Sequence, residues 1–278
     1  MIFILLYKLF LIIISIIIIL INLTMTTRKI SVIIPTYNRE KLIVNSLRSV
    51  LNQTYSNIEI LIIDDGSTDN TKKEIDKIKD KRIKYIKLNK NSGSCNARNI
   101  GIKMAIGTYI SFQDSDDIFH PDKLKKQFRN LIKNKSDFDF CKILIVINNT
   151  NKYVFPDNIT ETKIYNGNIY DELLNKGNFI STQSILVKKH YIQKYLFDIN
   201  LPRLQDYDLI LRMIRNLKVS YTNEILVDLF VQNNSISSSK KKLKKAIQIL
   251  LNKSYNLNAF QKENFSNYLN YFKKQSDI

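Results

Sequence analysis

The segment Phe112-Gln113-Asp114-Ser115-Asp116-Asp117 crowds three carboxylates at the end of an apolar run. Gly107-Thr108-Tyr109-Ile110-Ser111-Phe112, just before it, reads as a short strand. Pro121, just after it, opens a Lys-rich amphipathic helix. Carboxylates this close raise one another's pKa unless a cation sits among them. Mg²⁺ or Mn²⁺ carrying a phosphate is one such cation. These metals take carboxylate, water and phosphate oxygens, and an Asp-x-Asp turn offers one or two of them. A solvated acidic turn would account for the same residues without a ligand. A second acidic loop in the same setting favours the ligand.

That loop is Ile63-Asp64-Asp65-Gly66-Ser67-Thr68-Asp69, after the hydrophobic run Ile58-Glu59-Ile60-Leu61-Ile62-Ile63. A run of this kind suits a parallel strand covered on both faces. Gly66 and Ser67 make the turn, and Asp69 is placed to cap a helix over 70–79. A third strand, Ile30-Ser31-Val32-Ile33-Ile34, ends at Pro35-Thr36-Tyr37-Asn38-Arg39 and leads into a helix over 40–51. In open α/β sheets ligands bind at the carboxyl ends of strands, so the three polar ends converge on one crevice. Arg98, in the first turns of a helix after the loop at Asn91, carries a guanidinium suited to phosphate oxygens, though an exposed helix arginine reads the same way.

Residues 29 to about 132 resemble the family 2 glycosyltransferases, which have the GT-A fold and use nucleotide-diphospho-sugars. The matching segments run in order: Ser31-Val-Ile-Ile-Pro-Thr-Tyr-Asn-Arg39, Ser49-Val-Leu-Asn-Gln-Thr-Tyr55, Ile63-Asp-Asp-Gly-Ser-Thr-Asp69, Asn91-Ser-Gly-Ser-Cys-Asn-Ala-Arg-Asn-Ile-Gly101 and Gly107-Thr-Tyr-Ile-Ser-Phe-Gln-Asp-Ser-Asp-Asp117. A further match, Leu201-Pro-Arg-Leu-Gln-Asp-Tyr-Asp-Leu209, looks like the family's acceptor-side acidic motif. The resemblance implies a mixed, mostly parallel sheet flanked by helices. It assigns Pro35 and Tyr37 to the nucleotide base, Asp65 to the base imide, and Arg98 to the base or diphosphate. It makes Asp116 the direct metal ligand, with Asp114 on ribose or metal, and Asp206 the base that deprotonates the acceptor hydroxyl. Gln205 stands where the family often has Glu. Asp208 is a fallback base that otherwise reads as a solvated helix residue, Asp117 reads as a cap or turn, and His120 as a surface turn residue.

The implied reaction is metal-dependent (Mn²⁺ or Mg²⁺) inverting transfer of one sugar from a nucleotide-sugar, UDP-sugar favoured, to a glycan, lipid-linked or protein acceptor. Processive synthases of the family carry a Gln-x-x-Arg-Trp motif, and this chain has no Trp. A nucleotidyltransferase would show a Gly-rich basic signature where Pro35-Thr36-Tyr37-Asn38 stands. An inactive nucleotide-sugar-binding protein would have little reason to keep both Asp116 and Asp206.

Net charge is +18 over 278 residues, which calls for a nucleic-acid reading. The lysines are spread over nearly every helix and no aromatic-basic platform accompanies them, so no nucleic-acid partner is expected. Attraction of a diphosphate donor, or adhesion to an anionic membrane face, suits the charge better. Cys95, read as a loop residue, and Cys141, read as a strand residue, have no metal-site spacing and fit reduced thiols in the cytoplasm. Residues 1–24 are almost wholly apolar and read as a transmembrane anchor or as translation from a start upstream of Met25. Arg28, Lys29, Arg39 and Lys41 would keep the body on the cytoplasmic side.

The expected organisation is a GT-A domain over 28–234, with a donor half 28–135 and an acceptor half 136–234, then basic helices over 235–278. Strands are expected at 30–35, 58–64, 83–87, 108–113, 137–148, 180–187 and 224–231. Helices are expected at 94–106, 121–133, 167–176, 188–194 and 205–216, besides those named above. The stretch 149–163 reads as a hairpin or a lid.

Overall fold

The computed structural model describes residues 6–7, 9–15, 28–147, 151–157, 164–166, 169–231, 239–253 and 255–275. β1 (Ile30–Thr36) and β2 (Ile58–Asp64) are buried at every position, as their unbroken apolar runs require when both faces of a sheet are covered. With β3 (Ile83–Lys87) and β4 (Tyr109–Phe112) they form a parallel group in the order β3-β2-β1-β4.

The sheet continues through β9 (Ile185–Lys188), β6 (Phe138–Ile147), β10 (Lys218–Val231) and β5 (Ile118–Phe119). β7 (Asn151–Phe155) pairs antiparallel with β6, and β8 (Ile164–Asn166) with β10. The sheet is therefore mixed and mostly parallel. Parallel ladders make up the donor half and the long β6–β10 pairing, while antiparallel β9 joins the two.

Alternate strand residues face opposite layers. Val32, Ile34, Ile60 and Ile62 pack under α1 (Ile43–Leu51) and α4 (Lys123–Lys133). Ile33, Leu61 and Ile63 pack under α3 (Ser94–Met104), in one core with α5 (Ile169–Lys176), α6 (Lys189–Tyr195), α7 (Gln205–Ile214), α8 (Lys240–Asn252) and α9 (Ala259–Gln275).

Several expected boundaries move for local reasons. The helix after β2 is short, α2 (Thr71–Asp76), with the Asp69 carboxylate accepting the Thr71 N–H at 2.9 Å. Residues 180–184 are not strand: Thr182–Ser184 is a 3₁₀ turn, because Gln183 is drawn into the polar centre described below. β10 starts well before 224, its polar Ser220 and Thr222 being tied to buried Asp139 at 2.6 and 2.8 Å. Cys95 lies in the first turn of α3, and burial pushes its thiol up to about 11; burial likewise raises Cys141 in β6 to about 12. Both are protected thiols. The β6–β7 pairing makes 149–163 a hairpin in part, its remainder lying outside the described residues. Of the leader, residues 6–7 and 9–15 are helical and largely exposed, and the rest of the expected anchor lies outside the described residues. No helix among the described residues is long and apolar enough to cross a membrane.

Gly101 is where α3 meets the sheet: a Cβ there would lie 2.5 Å from Cγ2 of fully buried Ile33. Ala has the better helix propensity by about 1 kcal/mol, but Ile33 is β-branched and hemmed in. Gly101→Ala should therefore lower stability by roughly 1–3 kcal/mol in urea unfolding. A neutral or stabilising result would show that α3 can ride away from β1.

Candidate active site

The three loops at the carboxyl ends of β1, β2 and β3 are stitched together by side chains from the matched segments. Asn38, in the left-handed region at φ 51°, receives the Thr68 N–H on its Oδ1 at 2.9 Å. Asn tolerates that conformation better than most residues. The N–H of Asn38 donates to Ser67 Oγ, that of Arg39 to Thr71 Oγ1, and that of Glu40 to Asp69. Asp64 is fully buried and accepts from the Ser67 N–H and the Tyr85 hydroxyl, so it is a turn residue. Asp65 accepts from the Ser92 N–H (2.8 Å), the Ser92 hydroxyl (2.7 Å) and the Gly93 N–H (2.7 Å), which draws the third loop onto the second. Pro35 lies buried in β1 opposite Ile63, while Tyr37 stands 40% exposed at the rim.

The acidic segment after β4 is held from two sides. On one side α1 and a residue just past its end present polar side chains. Ser46 Oγ donates to the Asp114 carbonyl, Ser49 Oγ accepts the Phe119 N–H, and Gln53 clasps the His120 carbonyl and the Leu124 N–H. On the other side Gln183 Nε2 donates to Asp114 Oδ2 at 2.6 Å and to Asp117 Oδ2 at 2.9 Å. The second oxygen of Asp117 accepts the Phe230 N–H, which ties the segment to β10. Burial first, then Asp114 and Asp116, raise the Asp117 pKa well above the carboxylate range. Asp117 is thus a buried anchor between the two halves of the sheet. His120 pairs with Asp228 at 2.9 Å and is partly exposed.

Arg98 is buried in an ion pair with Asp114 at 2.6 Å, and its guanidinium lies 5.4 Å from the Phe197 ring centroid. It also feels the charge of Asp206. Arg98 is thus paired with Asp114 and lies within electrostatic range of Asp206. Asp206 lies in the first turn of α7, two residues after Leu204, which is held left-handed at φ 60°. That conformation is strained for a bulky residue. Its Oδ1 accepts the Tyr207 N–H at 2.8 Å, and Asn178 also hydrogen-bonds the carboxylate. Desolvation outweighs these bonds and raises the Asp206 pKa.

Asp208 is a correction to the sequence reading. It is fully buried, not solvated, and accepts from Arg212 Nε (3.0 Å) and Nη2 (2.7 Å), Lys253 Nζ (2.7 Å) and Tyr255 Oη (2.8 Å). Four donors leave it no role as a base. It bolts α7 to the chain that follows α8.

Among the described residues, no three His, Cys, Asp or Glu side chains converge into a protein-only metal site. Asp116 nevertheless fits a divalent cation. Burial, then Asp114, raises its pKa, and the counter-charge beside it, Arg39 Nε, is 3.6 Å away and has no hydrogen-bond partner. The Asp116 side chain is 17% exposed, so diphosphate and water oxygens have access to complete a coordination shell around such a cation.

This sheet has the GT-A fold. The fold matches S. aureus TarS residues 1–349 in complex with UDP-GlcNAc (TM-score 0.69, 24% identity, 87% of this chain and 72% of that one). It also matches the mannosyltransferase PcManGT from Pyrobaculum calidifontis in complex with GDP-Man and Mn²⁺ (TM-score 0.64, 14% identity, 90% and 73%). Residues 31–196 match the profile of glycosyl transferase family 2, and the chain belongs to that family. It is 34% identical over 226 residues to the Escherichia coli UDP-Glc:alpha-D-GlcNAc-diphosphoundecaprenol beta-1,3-glucosyltransferase WfgD, covering 80% of this chain and 85% of that protein. It is 45% identical over 148 residues to an uncharacterized glycosyltransferase of Rickettsia conorii, which covers 52% of this chain. The match takes in 24% of that protein, so the chain spans about a quarter of the relative's length.

Sequence reasoning missed Gln183, the buried clamp on two of the three carboxylates, because a neutral residue in the Ser181-Thr182-Gln183-Ser184 stretch carries no motif. It missed the Asp208–Lys253 bolt because the partners are far apart in sequence. Asp208→Ala should remove the buried acceptor shared by Arg212, Lys253 and Tyr255 and cost about 3 kcal/mol, although Lys253 keeps Asp198 and Arg212 keeps two backbone carbonyls. Asp206→Ala should stay within about 1 kcal/mol of the parent. Paired urea titrations decide the point, and equal stability of the two variants would refute the division of roles.

Proposed function

We propose that the protein transfers a single sugar, with inversion, from a nucleoside-diphosphate sugar to a hydroxyl of a lipid-linked glycan. The observation that carries this reading is buried Arg98, paired with Asp114 at 2.6 Å and close enough to Asp206 for the two charges to act on each other. One side of that arginine suits a diphosphate and the other an acceptor. The chemistry then needs one base and one stabilised leaving group.

Asp206 takes the proton of the acceptor hydroxyl as its oxygen attacks the anomeric carbon. The bond from that carbon to the diphosphate oxygen breaks on the opposite face, and the diphosphate departs with the electron pair. Burial makes Asp206 a stronger base than an exposed carboxylate. Asp116, with Asp114 beside it, would hold a divalent cation, which when bound would offset the charge of the departing diphosphate. Tyr37 offers an aromatic face to the base at the rim of the crevice, and Asp65 keeps the loops beneath it in register. The donor is expected to be a UDP-sugar, in line with the UDP-GlcNAc bound by TarS and the UDP-Glc named for WfgD. The lipid-linked acceptor is favoured by the diphosphoundecaprenol acceptor in the name of WfgD.

A hydrolysis and transfer screen of UDP-, GDP- and dTDP-sugars, with Mn²⁺ or Mg²⁺ and with EDTA, tests the reading directly. Asp116→Asn should weaken Mn²⁺-dependent UDP binding and cut turnover by orders of magnitude; full activity in that variant or in excess EDTA would sink the metal assignment. Asp206→Asn should bind donor normally by calorimetry while losing about 10²–10⁴ in kcat. The base must be ionised to work, so kcat/KM should fall as pH drops through the raised Asp206 pKa. That acid limb lies above the range of an ordinary aspartate, about 3.9. A limb at the ordinary value, or none, would point to another base.

A further inference from the structure

We infer that the outer face of α8 is a docking surface for an anionic lipid bilayer. Lys240, Lys241, Lys242, Lys244 and Lys245 are exposed on this helix, while Leu243, Ala246, Ile247 and Leu250 are buried in the core. At helical spacing the buried positions fall on one side, Lys241 and Lys245 lie away from it, and Lys240, Lys242 and Lys244 flank it. From Leu229 to Lys262 the sequence contains no Asp or Glu. Among the described residues no ion pair engages Lys240, Lys241, Lys242 or Lys245.

Folding stability does not account for these lysines. Three of them open the helix, where the macrodipole is positive and acidic residues are favoured, and the first turn has none. A local rule broken without compensation marks a place where binding, not stability, sets the sequence.

The helix is no loose tail. Its apolar face is part of the main core, and Lys253, just past its end, pairs with Asp208 on α7 and with Asp198, each at 2.7 Å. Asp208 is two residues from Asp206, so the basic face and the proposed base belong to one rigid unit. α9, which packs against α8, exposes Phe260 (69%) and Tyr271 (62%). Aromatic residues of this kind are enriched where a protein meets the lipid headgroups. An anionic bilayer is the partner of matching charge and flatness. It is also where a lipid-linked acceptor would reside, and that link rests on the function proposed above.

Flotation of the full chain with vesicles tests the inference, comparing neutral phosphatidylcholine with mixtures containing phosphatidylglycerol. The parent should partition onto the anionic vesicles in a salt-sensitive way. The triple variant Lys241→Gln, Lys242→Gln, Lys245→Gln should lose on the order of a hundredfold in partition there, and nothing on neutral vesicles. The neutral vesicles measure whatever the apolar N-terminal segment adds. Equal partition of parent and variant onto anionic vesicles would overturn the inference. So would a lysine-dependent affinity for duplex DNA or polyphosphate without any for vesicles. UDP-sugar hydrolysis, measured on both proteins without vesicles, should be unchanged by the substitutions. If both proteins lack hydrolysis while charge-dependent flotation holds, the catalytic reading fails and the docking face stands.

Discussion

The site is governed by the problem of keeping three carboxylates together at the end of a buried strand. In a poorly solvated place each charge penalises the others, and the fold meets that penalty unevenly. Asp114 receives a full counter-charge from Arg98 and an amide from Gln183. Asp117 receives a backbone N–H and the same amide, which suits a group that burial pushes toward the neutral form. Asp116 has Arg39 at 3.6 Å but no side-chain hydrogen bond from it, so of the three it is the least compensated from within the protein.

This unequal compensation requires that elements from distant parts of the chain be fixed relative to one another. The polar edge of α1 holds the acidic segment from one side, and β10 with the Gln183 turn holds it from the other. The loops of β1, β2 and β3 are joined by carboxylates and hydroxyls that accept backbone N–H groups, so each loop is the template for the next. Side chains that look like surface polar residues in the sequence thereby become internal struts.

Two aspartates two residues apart on α7 have opposite roles, and their surroundings decide which does what. Asp208 is saturated by an arginine, a lysine and a tyrosine, and it fastens the C-terminal helices to α7. Asp206 is desolvated with few donors, which leaves it basic and available. Helical geometry makes the difference, since positions i and i+2 point in directions about 200° apart.

The sequence alone determined the parallel donor half. Its strands are long apolar runs, its turns hold Gly, Ser and Asp in the expected places, and both β2 and β3 were bounded correctly by local signals. It also determined the family, because the matched segments lie in the contiguous first half of the chain. The tertiary structure decided the rest. The Gln183 clamp, the anchoring role of Asp117, the Asp208–Lys253 bolt and the start of β10 all depend on partners remote in sequence, whose pairing leaves no local periodicity to read. Whether an aspartate is solvated, buried and paired, or buried and unpaired is a property of the space around it, and only the folded chain defines that space.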